Sequence, residues 1–529
     1  MKSGFGKGFL ILTLSGLVCK IIGAFFRLPL TYILGTEGLG VFQLVMSVFS
    51  FALILTSGGV SVTISKMIAS SRAKGKYGDI KWFVYLGLVY CVALSFVFGV
   101  IFLFLSKQIS LLQQVESAGL SYRFFFPLLL FSSLVALFRG VYQGYEDMSP
   151  TAVSQIIEQL CKFVFGLLFA FYLAKTSLAL GVLGAFLGIL SGEVLAFVYL
   201  MFAKRRFKFS KYKINIGRRG EFFSYLVPST LGLTISPFVH FFDSIVTIGF
   251  LTSAGFASEY ATSLFGLQTG VVGSILNFPV IISVSLATAL LPSLSFKKSK
   301  EENEKELQES FSLLWWTILP VTLGILGVSL PLYQVVYPFF SASMISYAVK
   351  LTALGALSTI AVGFMQYLTS ILQANGDFKF VMIALVFGGI GKILCTIFLC
   401  PIRQINIFGI AIGNVVFSAI VVIFCLLKLR KFHFLTMDSF FSPLLSSLVM
   451  LVVVSALVAI LQISPILKLL ICLVVGVVIY LGLTFPMLLR FKRDFLGKKK
   501  TRGKDEQEGS DRNNFKQNSL SQKQSEKSV

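Results

Sequence analysis

The sequence is poor in acid and poorer still in metal-binding side chains. Of its 529 residues only 23 are Asp or Glu, against 46 Lys or Arg, and charged residues of both signs make up 13%. Histidine occurs twice, as His240 and His433. The seven cysteines (Cys19, Cys91, Cys161, Cys395, Cys400, Cys425, Cys472) all stand in apolar stretches, and none forms a CxxC pair. The usual zinc spacings and any disulfide framework are thereby excluded, and the cysteines read as small apolar packers. Nucleotide-binding motifs are missing too. Gly388-Gly389-Ile390-Gly391-Lys392 looks like part of a phosphate loop, but Ile393 stands where Ser or Thr would hold magnesium, and no strand precedes it. No cofactor is expected. Polar surface is also scarce: 56% of residues are hydrophobic. A soluble globule needs a polar skin that this chain does not have, so lipid must be its solvent.

What is present is a succession of apolar runs. A bilayer-spanning helix needs about 20 mostly apolar residues. Runs of that kind lie near 9–34, 40–69, 82–105, 119–143, 150–174, 181–203, 221–250, 261–294, 310–336, 346–374, 379–400, 406–428, 441–462 and 466–489. The expectation is an all-α polytopic membrane protein with fourteen transmembrane helices. The first run continues past Leu30 without a small-residue cleavage site, so it reads as a retained helix rather than a signal peptide.

The net charge of +23 is confined to short connections, as in cytoplasmic membrane loops, and points to anionic lipid headgroups rather than nucleic acid. One set of connections holds Arg72, Lys74 and Lys76, then Lys204 to Lys213, then Lys297, Lys298 and Lys300, then Lys428, Arg430 and Lys431. The intervening set is nearly bare, with Glu37, Lys107, Lys175 and Glu259. The acidic connection Glu146–Asp147 is the exception. This alternation places both termini in the cytoplasm of a cell membrane. The segment 491–529, rich in Lys, Gln, Ser and Asn, is expected to be a disordered cytoplasmic tail.

A sparse internal repeat divides the rest. A shift of 230 residues lays Gln143, Asp147 and Lys162 over Gln373, Asp377 and Lys392; a shift of 225 lays Gln43 and Thr63 over Gln268 and Thr288. Two six-helix lobes related by a pseudo-two-fold axis follow, over 1–215 and 216–432, with two further helices in 433–490. A cleft between rocking lobes would give alternating access.

Charge inside the hydrocarbon marks the candidate site, since each such residue costs about 2.5–3.5 kcal/mol on insertion scales. Gly16, Lys20, Gly23 and Arg27 share one face of the first helix, with Lys20 about 20 Å from its start at 1.5 Å per residue. This face reads as a cationic stripe suited to pyrophosphate, Arg27 being able to grip oxygens bidentately. The competing reading pairs Lys20 with a buried acid and lets Arg27 reach the interface. Glu158 and Lys162 stand four apart in the order that favours an ion pair. Lys392 has Gly388 at that offset and needs a partner from elsewhere, which Asp243 could be. Asp243 could equally bind a coupling cation. Glu193 has no partner in sequence. Lys66, Arg123 and Arg139 lie near helix ends, where snorkelling accounts for them.

Several stretches carry a family resemblance. They are Lys20-Ile-Ile-Gly23 through Arg27-Leu-Pro29, Leu34-Gly-Thr-Glu-Gly38 through Gln43, and Arg139-Gly-Val-Tyr-Gln-Gly144 leading to Glu158-Gln159. Others are Asp243-Ser-Ile-Val, Asn277-Phe-Pro279 through Pro292, Leu372-Gln-Ala-Asn-Gly376 and Gly391-Lys392-Ile. Together they resemble the SpoVB/YtgP-type polysaccharide transporters, of the superfamily that also holds MurJ-type lipid II flippases and MATE exporters. The resemblance covers helices one to twelve. It implies a flippase, not an enzyme, that carries an undecaprenyl-pyrophosphate-linked saccharide between two lobes. Lys20, Arg27, Glu158, Lys162 and Lys392 would then be substrate-binding. The last two helices would form a groove for the polyprenyl tail. Membrane lipids and cell-envelope synthesis enzymes are the other partners it implies. Two arginines of the lipid II flippases are missing here, from Thr56-Ser-Gly-Gly59 and from the position near Ser274. The saccharide is therefore open between a peptidoglycan precursor and a capsule, teichoic or other glycan intermediate. The alternatives are a MATE-like cation-coupled drug exporter and a membrane glycan polymerase or ligase, for which the external connections offer few acids and no histidine.

Overall fold

The structure, a computed structural model, describes residues 2–203, 218–290, 300–429 and 437–485. The tail 491–529, the lobe boundaries at 215, 432 and 490, and the basic residues of 204–213, 297–298 and 430–431 lie outside the described residues. Among the described residues there is no strand. Helix is the form an apolar chain must take in hydrocarbon, because it satisfies every backbone N–H and C=O within the segment.

In chain order the helices are α1 (Lys2–Leu53), α2 (Val60–Ala73), α3 (Tyr77–Leu112), α4 (Phe125–Gly144), α5 (Ser149–Ala174) and α6 (Leu178–Phe202). Next come α7 (Arg219–Ser253), α8 (Ser258–Gly266), α9 (Gly273–Leu290), α10 (Lys300–Gly327) and α11 (Ser329–Val336). The last are α12 (Ala342–Ala374), α13 (Phe378–Leu399), α14 (Phe408–Leu429), α15 (Met437–Ile460) and α16 (Pro465–Phe485). A π-helical turn, Leu267–Val272, joins α8 to α9, and another, Ile54–Gly58, joins α1 to α2.

Among the described residues, thirteen helical runs are long and apolar enough to cross a membrane. The difference from the expected fourteen lies in the first, which runs unbroken from Leu14 to Ala73 by this measure. At 1.5 Å per residue those 60 residues would measure about 90 Å, three hydrocarbon thicknesses. The helix is interrupted at Gly35, whose backbone (φ 71°, ψ −178°) lies in a region that only glycine enters freely. The ninth expected span, 310–336, is shorter than the sequence indicated: α10 stops at Gly327, and α11 is a separate helix. Serines cap two of the helices, Ser177 accepting from the Leu180 amide at 3.2 Å and Ser341 from that of Met344 at 3.3 Å.

The core is divided unequally along the helices. At the end carrying residues 35–38, 113–118 and 400–407, a single apolar cluster runs from Leu34, Leu39 and Val115 to Leu251, Ala261, Tyr337 and Ile407. It joins the N-terminal helices to the C-terminal ones. At the opposite end the clusters separate. One centres on Val60, Ile64, Phe83 and Leu137, another on Phe311, Leu319, Leu368 and Val421. Sealed at one end and parted at the other is the form of a cleft between two lobes. Helix α7 belongs to both. Its first turns pack on α2 and α3, with Phe222 stacked 6.4 Å from Phe83 and Arg218 3.0 Å from Asp79. Its second half meets α13.

Outward-facing side chains are largely apolar. Phe104 is 73% exposed, Phe202 74%, Val452 67% and Val478 63%, a surface that water would not tolerate and lipid requires. The chain is an integral membrane protein.

Candidate substrate site

Beneath the sealed end, a cavity of about 540 Å³ lies between the lobes. From the first lobe α1 contributes Arg27, Gln43 and Ser47; from the second come His240, Asp243, Gln268, Asn277, Gln366, Lys392 and Asn414. Six of these ten groups are carboxamides or hydroxyls. Carboxamides and hydroxyls offer both donors and acceptors, as sugar hydroxyls demand. Gln268 is 7% exposed and its Oε1 has no hydrogen-bond partner, so a donor from a ligand would relieve a buried orphan acceptor. Sequence reasoning passed over these amides, although Gln43 and Gln268 had surfaced as repeat partners.

The charged residues divide by lobe. In the second lobe Lys392 Nζ lies 2.8 Å from Asp243 Oδ2, and the two side chains are 3% and 5% exposed. Thr396 Oγ1 donates to Asp243 Oδ1 at 2.9 Å, and His240 Nδ1 stands 3.5 Å from the ammonium. The partner that Lys392 required is therefore Asp243, brought by α7. Of the two roles open to that carboxylate, the charge pair is the one formed here.

In the first lobe the expected Glu158–Lys162 pair is not formed. Glu158 Oε2 is held instead by Arg139 Nη2 at 2.8 Å, and Gln159 donates to its other oxygen at 2.9 Å. Arg139 also donates to Ser154 Oγ at 2.9 Å, so it turns inward rather than snorkelling. The turn between α4 and α5 sets Arg139, five residues before the end of one, beside Ser154, five residues into the other. Lys162 is left with no ion pair among the described residues. Its ammonium lies 5.3 Å from the centre of the Phe26 ring, and its charged neighbours are Arg27, Glu158 and Glu193.

Arg27 likewise has no carboxylate partner among the described residues. It donates to Ser274 Oγ at 2.9 Å across the lobe boundary. Lys20 is exposed, without an ion pair among the described residues, and does not line the cavity. The single cationic stripe expected along α1 is thus divided, with only Arg27 facing the cavity. Glu158 and Lys162 stand behind it rather than in the wall. Lys66 lies 3.8 Å over the Tyr225 ring on α7, and Arg123 Nε is 3.4 Å from Ser106 Oγ.

The seal above the cavity is made by direct contact of the lobes. Tyr32 donates to the Val336 carbonyl at 2.7 Å and packs edge-on to Phe339 at 4.7 Å; Gln43 Nε2 donates to the Thr269 carbonyl at 3.2 Å. At Gly40 the backbones touch: a β-carbon there would stand 2.1 Å from the Thr262 carbonyl oxygen. The arrangement can admit a polar headgroup between the lobes, hold anionic oxygens with Arg27, and bar its exit at the closed end.

Residues 5–297 match the family described as polysaccharide biosynthesis protein. The chain is 30% identical over 308 residues to the stage V sporulation protein B of Bacillus subtilis (strain 168), spanning 56% of this chain and 58% of that protein. That match covers less than two thirds of the sporulation protein's length. To the lipid II flippase MurJ of the same organism it is 24% identical over 453 residues, 78% of this chain and 81% of the flippase. The fold is that of a solved lipid II flippase MurJ in an inward closed conformation, with a TM-score of 0.73 at 16% identity, covering 92% of this chain and all of that one. An inward-facing multidrug resistance MATE family transporter of the MOP superfamily is similar at a TM-score of 0.61 and 15% identity, over 79% of this chain and 95% of the transporter.

Proposed function

The chain belongs to the polysaccharide biosynthesis protein family, and on that premise we propose that it is a flippase for a polyprenyl-diphosphate-linked saccharide. The saccharide headgroup crosses through the cleft while its lipid tail stays in the membrane, and no bond is made or broken. The observation that carries this reading is the uncompensated charge of the first lobe. Arg27 and Lys162 are neighbours, neither has a carboxylate partner among the described residues, and of the two acids near Lys162, Glu158 is taken by Arg139 and Glu193 makes no ion pair. Two cations held together in a low-dielectric site favour a ligand with two or more negative charges, which a diphosphate supplies. The amides around the cavity suit the sugars that follow. An organic cation, the cargo of a drug exporter, would meet repulsion at the same place.

In this reading the end carrying 35–38 faces outward and both termini face the cytoplasm, in keeping with the basic connections at the parted end. The headgroup enters where the lobes are separate. Neutralising Arg27 and Lys162 removes the repulsion between them, and the lobes rock so that the seal at Tyr32, Gly40 and Gln43 opens. The membrane-exposed faces of α15 and α16, with Val452, Val474 and Val478, are the surface along which the tail would travel. The test is complementation of a strain depleted of its own flippase: wild-type chain restores growth, and Lys162→Ala reaches the membrane without doing so. Full growth on Lys162→Ala would refute the diphosphate site.

A further inference from the structure

Glu193 sits in mid-helix on α6 with 7% of its surface exposed. Ser132 donates to its Oε1 at 2.8 Å, while Oε2 is buried with no hydrogen-bond partner. An ionised carboxylate leaving one oxygen unmatched in hydrocarbon is costly, whereas the neutral acid needs far less from its surroundings. The helices hold it close to the cationic site. α6 approaches α5 so tightly that a β-carbon on Gly192 would stand 2.6 Å from the Glu158 carbonyl oxygen, one turn before Lys162.

The charged groups around Glu193 come from three helices. They are Glu158 and Lys162 on α5, Arg139 on α4, and Arg27 on α1, the last acting through Lys162. Arg139 and Glu158 are engaged with each other. Glu116 and Arg123 lie beyond the start of α6, which is 15 residues or about 22 Å from Glu193. Of the two cations that act on Glu193 directly, Arg139 is therefore engaged, and Lys162 has no ion pair among the described residues.

We propose that Glu193 is a proton-binding site linked to the anion site, its ionised form competing with the substrate for Lys162. With Glu193 charged, Lys162 has an internal counter-ion and attracts a diphosphate less. When the carboxylate takes a proton from water it becomes a neutral acid, and the full charge of Lys162 is available to the ligand. Proton and diphosphate then bind together, and by reciprocity each strengthens the other. Acidification tightens diphosphate binding and alkalinity weakens it. A proton gradient thereby acquires a handle on transport in a chain without a nucleotide-binding motif. This deepens the diphosphate reading of Arg27 and Lys162 and rests on it.

The test is calorimetry of inorganic pyrophosphate binding to the purified full chain, in buffers of differing ionisation heat. Wild type is expected to take up one proton more per pyrophosphate than Glu193→Gln. The difference between the two proteins removes the titration of the probe itself. Relative to the variant, the wild-type Kd should fall by up to about tenfold per pH unit of acidification, the slope of one linked proton. Glu193→Asp, which keeps a titrating group, should retain the extra proton. Equal proton uptake by wild type and Glu193→Gln overturns the proposal while leaving the anion site standing. No binding to either protein defeats the anion site, and this proposal with it. If Glu193→Gln does not reach the membrane, wild type alone decides: pyrophosphate added at neutral pH should increase the infrared C=O stretch of a protonated carboxyl, and an unchanged band contradicts the linkage.

Discussion

The guanidinium of Arg139 lies 2.8 Å from the carboxylate of Glu158, and this contact leaves Lys162 without the partner that its own helix offers. Lys392, the counterpart of Lys162 under the 230-residue shift, is neutralised by Asp243 at 2.8 Å. One lobe therefore pairs its intramembrane lysine with an acid, and the other leaves its lysine beside an arginine with no ion pair among the described residues. The two lobes thus differ at their intramembrane lysines, and in the proposed function that asymmetry is what would draw an anion to the first lobe.

Replacing Lys162 by Ala should weaken pyrophosphate binding by up to about tenfold, because it removes a positive charge beside Arg27 rather than a direct contact in the cavity wall. Lys162→Arg should keep most of it. Lys20→Ala, which removes an exposed side chain outside the cavity wall, should change binding little. Titration calorimetry on the three variants gives the ranking, and a larger loss at Lys20 than at Lys162 would contradict it.

Asp243→Ala should lower stability by ~3–5 kcal/mol, because it strands a buried ammonium. Removing both charges, as Asp243→Asn with Lys392→Met, should recover much of that loss. Thermal unfolding in detergent of the single and double variants is the measurement. A double variant no more stable than the single one would mean that the pair is not the source of the effect.

At the sealed end, Gly40→Leu should hold the lobes apart. Its β-carbon would stand 2.1 Å from the backbone oxygen of Thr262, a contact that no rotamer relieves. Gln268→Cys, inside the cavity, should then react with a membrane-impermeant thiol reagent applied from outside, and should be protected when Gly40 is intact. Equal protection in both backgrounds would show that the seal lies elsewhere.

Much of this architecture was legible as apolar run length, since hydrocarbon leaves a chain little choice but helix. The interruption at Gly35 falls between the spans expected at 9–34 and 40–69, which by length and apolar composition form one run that contains both. The second-lobe ion pair was legible as a need: Lys392 lacked a local acid, and Asp243 was one carboxylate that could answer it. The first-lobe arrangement was not. Spacing of four made Glu158 and Lys162 look self-sufficient, but such a pair along one helix is worth only about 0.2–0.5 kcal/mol, and a guanidinium offered by a neighbouring helix outbids it. Arg139 was assigned to the interface from its distance to a helix end. The hairpin from α4 to α5 places Ser154 and Glu158 at a matching depth, which turns it inward. Nothing local announced that Ser132 would meet Glu193 across two helices.

The most direct measurement is native mass spectrometry of the full chain purified from its own membrane, beside Lys162→Ala prepared identically. The expected result is a bound polyprenyl-diphosphate saccharide on the wild-type protein that is lost from the variant. A wild-type protein carrying no such lipid, or a variant that retains it undiminished, would contradict the claim that the uncompensated charge of Arg27 and Lys162 receives the substrate.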